Sequence, residues 1–312
     1  MQYYPRKGYE EHLEIYHTLA YGDEAARAAA FKRQRQLQSE PVLPEGIRIE
    51  TRSIPGAESG QALTLRIVRP ENLPQNAPII LDIHGGGWIA GTAASDDFRC
   101  AMLASMVPCI VASVEYRLAP QHPFPAALMD CYAAFNWLKA HAAELGGDGE
   151  RFGLHGTSAG GNLVTALSLY VRDFGGPKIA LAAIVNGAFG LEKTMSYHQI
   201  QRYPLGPENG YCSLPEALYL GNLKGQSPSY YAFPALCPLL AGFPNALILV
   251  SEYDQLRDDG IAFAQRLYAE SIPCELIVAP RVGHGFMSVD HPLTRQMFTR
   301  MADSFRNEFR ML

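Results

Sequence analysis

A G-x-S-x-G pattern at residues 156–160 puts Ser158 where its hydroxyl could act as a nucleophile. The pattern lies between a short apolar segment and a segment rich in helix formers, which is the strand–turn–helix context of a nucleophile elbow. Glycines at 156 and 160 suit such a turn, because larger side chains would collide with the tightly bent backbone. Taken alone, the pattern could equally be a Gly/Ser turn without chemistry, but this context favours the catalytic interpretation.

A second glycine-rich segment, HGGGW at residues 84–88, directly follows an apolar run. Consecutive glycines let backbone N–H groups approach a ligand closely, so we predict that this loop helps to bind an oxyanion. Any two of the loop's three glycines could donate. The candidate donors are the N–H groups of Gly85, Gly86, Gly87 and Ala159. His84 lies upstream of the serine on this loop, so we interpret it as a structural residue that fixes the loop.

A serine hydroxyl needs an adjacent base at neutral pH, and three histidines follow Ser158 in the sequence: His198, His284 and His291. His284 lies between two glycines, just after a predicted strand, which leaves its ring room to reach the serine. His198 lies in an irregular segment, and His291 precedes a proline at a helix start. We therefore predict that His284 is the general base.

The acid that orients the imidazole should follow a strand and precede His284. Four carboxylates lie in residues 252–259, after the apolar run 246–250. Asp254 is our first candidate and Glu252 the second. We expect Asp258 and Asp259 to cap and charge the start of the next helix.

Taken together, these motifs resemble the hormone-sensitive-lipase-like family of esterases over about residues 78–290. The resemblance is carried by HGGGW (84–88) with Gly91, YRLAP (116–120), FPAA (124–127) with Asp130, GTSAGGN (156–162), DQLRDDG (254–260) and GHGF (283–286). It implies an α/β-hydrolase fold with an eight-stranded, mostly parallel sheet, flanking helices and a helical cap. It also implies hydrolysis of carboxylic esters by Ser158, Asp254 and His284, with no metal or organic cofactor.

The resemblance further implies that Arg117 and Asp130 are structural. The chain departs from the family at Thr157, where many relatives carry Asp, and at Gln255, where many carry Pro. Neither change removes a catalytic group, but both leave the substrate preference open.

The hydrophobic pattern predicts alternating strands and helices, which favours a mostly parallel sheet covered on both faces. Predicted strands cover residues 47–50, 63–68, 78–83, 108–114, 151–155, 179–185, 246–251 and 275–279, and predicted helices cover 10–21, 23–38, 126–143, 158–173, 260–270 and 292–311. We assign residues 1–45 to an N-terminal helical part of a cap and 46–312 to the catalytic domain. A Tyr-, Pro- and Gly-rich stretch at about 187–240 is the predicted cap insertion.

An aromatic-lined pocket beneath this cap would suit small or medium acyl esters. The candidate lining residues are Trp88, Tyr197, Tyr203, Tyr211 and Phe233. Packing within the cap is an equally good interpretation of each aromatic residue.

Composition excludes several classes of protein. Of the 312 residues, 48% are hydrophobic and 18% charged, which argues against disorder, and a net charge of -5 argues against a nucleic-acid partner.

The six scattered cysteines suggest free thiols in a reducing compartment. With no signal-like or membrane-spanning stretch, we expect a cytoplasmic protein without a membrane partner. A homodimer paired through the strand near 275–279 is a further expectation.

Two alternatives to a serine esterase remain at this point. An amidase, lactonase or peptidase could use the same triad, because a fold does not fix a substrate. A non-catalytic small-molecule receptor of this family is the other alternative. The presence of His284 in GHGF argues against it, since such receptors have lost the catalytic histidine.

Overall fold

The chain folds around one eight-stranded sheet, as seen in a computed structural model that describes residues 5–21, 25–26, 29–30, 33, 42–190, 194–200, 214–222 and 227–311. The strands are β1 (Ile47–Pro55), β2 (Ala62–Pro70), β3 (Ala77–Ile83), β4 (Ile110–Glu115), β5 (Gly147–Thr157), β6 (Ile179–Val185), β7 (Asn245–Tyr253) and β8 (Cys274–Gly283). Their spatial order is β1-β2-β4-β3-β5-β6-β7-β8. β2 is antiparallel to both β1 and β4, and all other neighbouring strands are parallel. The α/β-hydrolase fold class predicted from the sequence is confirmed.

Helices cover both faces of this sheet. They are α1 (Glu10–Tyr21), α2 (Asp97–Met106), α3 (Ala126–Ala140), α4 (Ala159–Phe174), α5 (Met195–Gln199), α6 (Leu214–Leu220), α7 (Arg257–Ala269) and α8 (Pro292–Glu308). Buried residues of α3, α4 and α7 form the core on one face, and those of α2 and α8 form the core on the other. Every residue of β3 is buried, which explains why its sequence is a continuous apolar run interrupted only by Asp82.

The sheet brings four functional segments to one edge. HGGGW follows β3, Ser158 follows β5, Asp254 follows β7 and His284 follows β8, each as the next residue after its strand. Because the carboxyl ends of parallel strands meet at the same edge of a sheet, residues far apart in sequence converge there.

The turn between β5 and α4 is one of the tight points of this edge. Ser158 has φ 61° and ψ −119°, and α4 begins at Ala159, one residue later than the sequence predicts. A Cβ on Gly160 would lie 1.9 Å from the Ile83 carbonyl oxygen, and one on Gly156 would lie 2.5 Å from that of Gly160. These two glycines are therefore required for α4 to start against the end of β3.

Arg117 and Asp130 anchor the loop that follows β4. The backbone N–H, Nε and Nη2 of Arg117 donate to the Asp130 carboxylate over 3.0, 2.9 and 3.0 Å. Gln61 Nε2 donates to the same carboxylate over 3.0 Å. Since Asp130 is fully buried, these donors are what make its burial tolerable.

The N-terminal segment packs beside the loop that carries His284. Tyr9 is fully buried, its ring meets Phe286 edge-on at 6.1 Å between centroids, and its hydroxyl lies 2.7 Å from Thr294 Oγ1. The N–H of Arg6 donates to the Arg281 carbonyl over 3.0 Å. Of the predicted cap helices, 10–21 is α1, while most of 23–38 lies outside the described residues.

β8 forms one edge of the sheet, and its residue Val278 is 43% exposed. Pairing of this edge with a second copy stays a prediction. No helix in the described part of the chain has both the length and the apolar character needed to cross a bilayer.

Gly160→Ala tests the close approach of α4 to β3. We expect the substitution to lower the free energy of unfolding by about 3 kcal/mol or more, because the added methyl meets a backbone carbonyl that cannot rotate away. Urea unfolding followed by circular dichroism measures this change. In the control Gly149→Ala the new Cβ would lie 3.4 Å from the Lys139 carbonyl oxygen, an ordinary contact, and the expected change is within about 1 kcal/mol. Equal stability of the two variants would contradict the account.

Candidate active site

Ser158, His284 and Asp254 form a continuous chain of hydrogen bonds. His284 Nε2 lies 2.9 Å from Ser158 Oγ, and His284 Nδ1 lies 2.7 Å from Asp254 Oδ2. Asp254 is 1% exposed and His284 8%. The serine, in contrast, remains partly accessible. The arrangement therefore presents a hydroxyl to solvent while the groups behind it are shielded.

The chemistry of the three groups fixes the direction of these hydrogen bonds. An ionised carboxylate only accepts hydrogen bonds, so Asp254 accepts one from Nδ1–H, and Nε2 of the neutral imidazole is left to accept one from the serine hydroxyl. The second carboxylate oxygen, Oδ1, accepts the N–H of Leu256 over 3.0 Å. Both oxygens of the buried carboxylate are thus used, which holds the ring of His284 in one orientation.

The glycine loop lies directly beside Ser158. A Cβ on Gly85 would come within 2.8 Å of the Thr157 carbonyl oxygen and 3.3 Å of Ser158 Cβ. Gly86 and Gly87 have φ of 131° and 64°, conformations that favour glycine. Among the residues that the structure describes, no acceptor takes the N–H of Gly86, Gly87 or Ala159. These amides are available to a ligand beside the hydroxyl.

His84 belongs to the support of this loop. Its Nδ1 lies 2.8 Å from the Gly85 carbonyl oxygen, and its ring stacks on that of Tyr116 at 4.2 Å between centroids. The Tyr116 hydroxyl donates to the His84 carbonyl over 2.9 Å. A Cβ on Gly91 would lie 2.8 Å from His84 Nδ1, so the close packing of this ring also requires a glycine at 91.

The other acidic candidates point elsewhere. Glu252 Oε2 accepts the N–H of Arg281 over 2.7 Å, away from the imidazole. The expectation that Asp258 and Asp259 cap this helix is wrong, because α7 begins at Arg257, earlier than predicted, and its N-cap is Leu256. Both carboxylates do lie in its first turn, so the expectation that they charge the start of the helix is confirmed. Asp258 Oδ2 accepts the N–H of Ser196 over 2.9 Å, and Asp259 Oδ2 accepts those of Phe189 and Gly190 over 2.6 and 3.1 Å. The two carboxylates bond backbone N–H groups in the segment after β6, which would otherwise be unpaired, rather than those at the start of the helix.

The other two candidate bases, His198 and His291, lie outside the site. His198 is exposed on the short helix α5. His291 caps α8, because its Nδ1 accepts the N–H of Leu293 over 3.1 Å. Its Nε2 lies 2.9 Å from the Lys7 carbonyl oxygen.

Of the five aromatic residues predicted to line a pocket, the structure describes three, all of them buried: Trp88 is 3% exposed, Tyr197 3% and Phe233 fully buried. Trp88 stacks on Tyr219 of α6 and meets Phe233 edge-on. Tyr203 and Tyr211 lie outside the described residues. That these aromatics line a substrate pocket stays a prediction.

Asn162 has a role in the site that sequence reasoning missed. Its Oδ1 accepts from Trp88 Nε1 over 3.2 Å, while its Nδ2 donates to the carbonyls of Ala188 and Ala232 over 2.8 and 2.9 Å. The residue is fully buried and joins three segments of the site. A signal was present in the sequence, because a polar amide inside an otherwise apolar helix must find partners.

A second buried polar cluster spans three strands beneath the site. Asp82 of β3 accepts from Ser113 of β4 over 2.6 Å and lies 2.6 Å from Nδ1 of His155 on β5. Burial opposes ionisation of Asp82, but the hydrogen bonds from His155 and Ser113 outweigh it and hold the pKa of Asp82 below its ordinary value. All three groups are shielded from solvent, so they support the sheet and are not placed to meet a substrate.

Comparison with known proteins agrees with this fold. A family model described as the alpha/beta hydrolase fold matches residues 80–288. The carboxylesterase NlhH of Mycobacterium tuberculosis is 33% identical over 288 residues, which is 87% of this chain and 84% of that protein. Hormone-sensitive lipase of Bos taurus is 39% identical over 126 residues, or 40% of this chain and 16% of that protein.

Among solved structures, one described as a bacterial heroin esterase superposes with a TM-score of 0.81 at 31% identity and covers 91% of both chains. The chain belongs to the hormone-sensitive-lipase-like family of α/β-hydrolases.

Proposed function

We propose that this chain hydrolyses short- to medium-chain carboxylic esters through a covalent acyl-enzyme on Ser158. The coarse activity rests on the comparisons: the chain is an ester hydrolase, as the named relatives that match most of its length are. The single observation that carries the mechanism is the hydrogen-bond chain from Ser158 through His284 to Asp254.

The reaction takes place in two acyl transfers. Ser158 Oγ attacks the ester carbonyl carbon while His284 Nε2 takes its proton. The tetrahedral intermediate collapses as His284 returns that proton to the leaving alcohol. Water then attacks the acyl-enzyme with His284 again as the base, which releases the acid and restores the serine. Asp254 stabilises the imidazolium formed in each step and need not accept the proton itself.

Backbone amides stabilise the negative charge that develops on the carbonyl oxygen. The candidate donors are the N–H of Ala159, at the start of α4, and those of the glycines at 85–87. The start of α4 also directs the positive end of its helix dipole toward this oxygen. Loss of one oxyanion donor typically costs about 3 kcal/mol of transition-state stabilisation.

Crowding at the glycine loop supports the substrate size. α6 lies against this loop, since a Cβ on Gly87 would be 3.1 Å from Cβ of Pro215. Tyr219 and Phe233 fill the space behind Trp88 and are fully or almost fully buried. Among the residues that the structure describes, these contacts narrow the space beside the glycine loop, which favours a short or medium acyl chain.

An amidase, lactonase or peptidase could use the same triad on a substrate with a different leaving group. The named esterase relatives favour ester hydrolysis over these reactions. A non-catalytic receptor would not require an imidazole held 2.9 Å from the serine hydroxyl.

The cytoplasm is the proposed location. Five cysteines in the described part of the chain are free, and four of them are buried: Cys100, Cys109, Cys131 and Cys237, with Cys274 partly exposed. Buried free thiols suit a reducing compartment.

Ser158→Ala tests the nucleophile. We expect kcat on a p-nitrophenyl ester to fall by about 10⁴-fold or more, with an unchanged circular dichroism spectrum, because the substitution removes only the attacking oxygen. Ser168→Ala is the matched control in α4, the helix that follows Ser158. The Ser168 hydroxyl donates to the Val164 carbonyl within that helix. That variant should keep wild-type turnover. Ester hydrolysis by Ser158→Ala at the control's rate would remove Ser158 from the mechanism.

A panel of p-nitrophenyl esters with acyl chains from acetyl to palmitoyl tests the substrate class. We expect kcat/KM to peak at short or medium chains and to fall for long ones, because α6 limits the space beside the glycine loop. Matched p-nitroanilides included in the panel should react far more slowly than the esters. A maximum at palmitoyl would contradict the proposed size, and anilides that react as fast as esters would favour the amidase.

A further inference from the structure

Trp88 has a backbone conformation that its neighbours must enforce. Its φ is 61°, in the left-handed region that bulky residues rarely adopt. Such a conformation costs on the order of 1–3 kcal/mol and persists only where the surroundings over-determine it. Trp88 directly follows the glycines of the oxyanion loop, so whatever holds the indole also holds the backbone that carries those amides.

The catalytic domain holds the indole on one side. Trp88 Nε1 donates to Asn162 Oδ1 over 3.2 Å, four residues after the nucleophile. The Trp88 carbonyl accepts the N–H of Ala119 over 2.9 Å. Asn162 is itself fixed, because its Nδ2 donates to two carbonyls in the segments after β6 and before β7.

Helix α6 holds the indole on the other side. The rings of Trp88 and Tyr219 stack at 4.6 Å between centroids with an angle of 10° between their planes. The ring of Phe233 packs edge-on against the indole, at 6.2 Å between ring centroids. The Tyr219 carbonyl accepts the N–H of Phe124 over 2.7 Å, which anchors α6 to the loop before α3.

We propose that Trp88 is a positioning residue that couples the docking of α6 to the geometry of the oxyanion hole. The inference rests on the proposed esterase function and adds that the cap contributes to the chemical step, besides any contact with substrate. Oxyanion donors act within about 2.7–3.1 Å of the developing charge. A shift of the loop by about 1 Å can therefore cost about 100-fold in rate.

The coupling should appear in kcat and leave KM nearly unchanged, because the oxyanion exists only in the tetrahedral intermediate and its transition states. A purely structural role for Trp88 predicts something else: lower stability of the fold, with normal kcat in the fraction that remains folded. The two possibilities differ once the active fraction is titrated with an organophosphate.

Tyr219→Leu removes the stack without touching the oxyanion loop. We expect kcat per titrated site on p-nitrophenyl acetate to fall about 10- to 100-fold, with KM changed less than about threefold. Tyr219→Phe should restore most of kcat, because the stack needs only the ring and the Tyr219 hydroxyl has no hydrogen-bond partner in the described part of the chain. Trp137→Phe, at a tryptophan that stacks on His141 of the segment after α3, is the control and should match wild type.

Fluorescence reads the same coupling independently of activity. The chain has two tryptophans, so Trp88 is the sole one in a Trp137→Phe background. Adding Tyr219→Leu should make Trp88 more accessible to acrylamide quenching together with the loss of kcat. Lower kcat without increased quenching, increased quenching with normal kcat, or no change in either would each overturn the coupling.

Trp88→Phe keeps the test decisive if Tyr219→Leu fails to fold. It retains an aromatic ring against Tyr219 but loses the N–H donated to Asn162. We expect kcat to fall about 3- to 10-fold, in line with one lost buried hydrogen bond, at nearly constant KM. Unchanged kcat in this variant would overturn the proposal. If the wild-type protein itself turned over no ester, the failure would lie with the proposed function and not with the coupling.

Discussion

The geometry of the whole site depends on the close approach of α4 to the end of β3. At this point the backbone of Gly160 touches the Ile83 carbonyl, and the turn at Ser158 takes a conformation that few residues adopt. The approach is possible because side chains are absent at 156 and 160. It places Ser158 at the edge of the sheet, directly before the first residue of α4. Neither the imidazole nor the glycine loop could reach the hydroxyl if the helix began farther from the sheet.

Two further loops complete the site, and each is held by contacts from outside the sheet. The loop after β8 carries His284 and packs against the N-terminal segment through Phe286 and Tyr9. The loop after β3 carries the glycine amides and packs against α6 through Trp88 and Tyr219. Segments of the predicted cap therefore support both His284 and the glycine loop. A covering structure of this kind can affect turnover without meeting the substrate.

Sequence reasoning reached the parts of this molecule that local chemistry dictates. Ser158 and the glycine loop are visible in the sequence because strained turns and close backbone approach require glycine at fixed spacing. The strand at 179–185 was predicted with its observed bounds, since a fully buried strand reads as an apolar run. α2 was missed because residues 100–104 are all buried and show no helical period.

Tertiary contacts account for the rest. Asp258 and Asp259 lie in the first turn of α7. Their carboxylates accept backbone N–H groups from the segment after β6, and no local rule anticipates those partners. The stack of Trp88 on Tyr219 joins the HGGGW motif to an irregular segment whose placement the sequence does not reveal. Similarly, the partners of Asn162 lie in two loops that only the folded sheet brings together.

The central claim is that His284, oriented by Asp254, activates the hydroxyl of Ser158. It is tested most directly by the rate at which diethyl p-nitrophenyl phosphate labels the protein, with the modified residue identified by peptide mass mapping. The account predicts a single adduct on Ser158, a rate about 10³- to 10⁴-fold lower in Asp254→Asn, and a nearly unchanged rate in Glu252→Gln. An adduct on another residue, or equal labelling rates in the two variants, would contradict it.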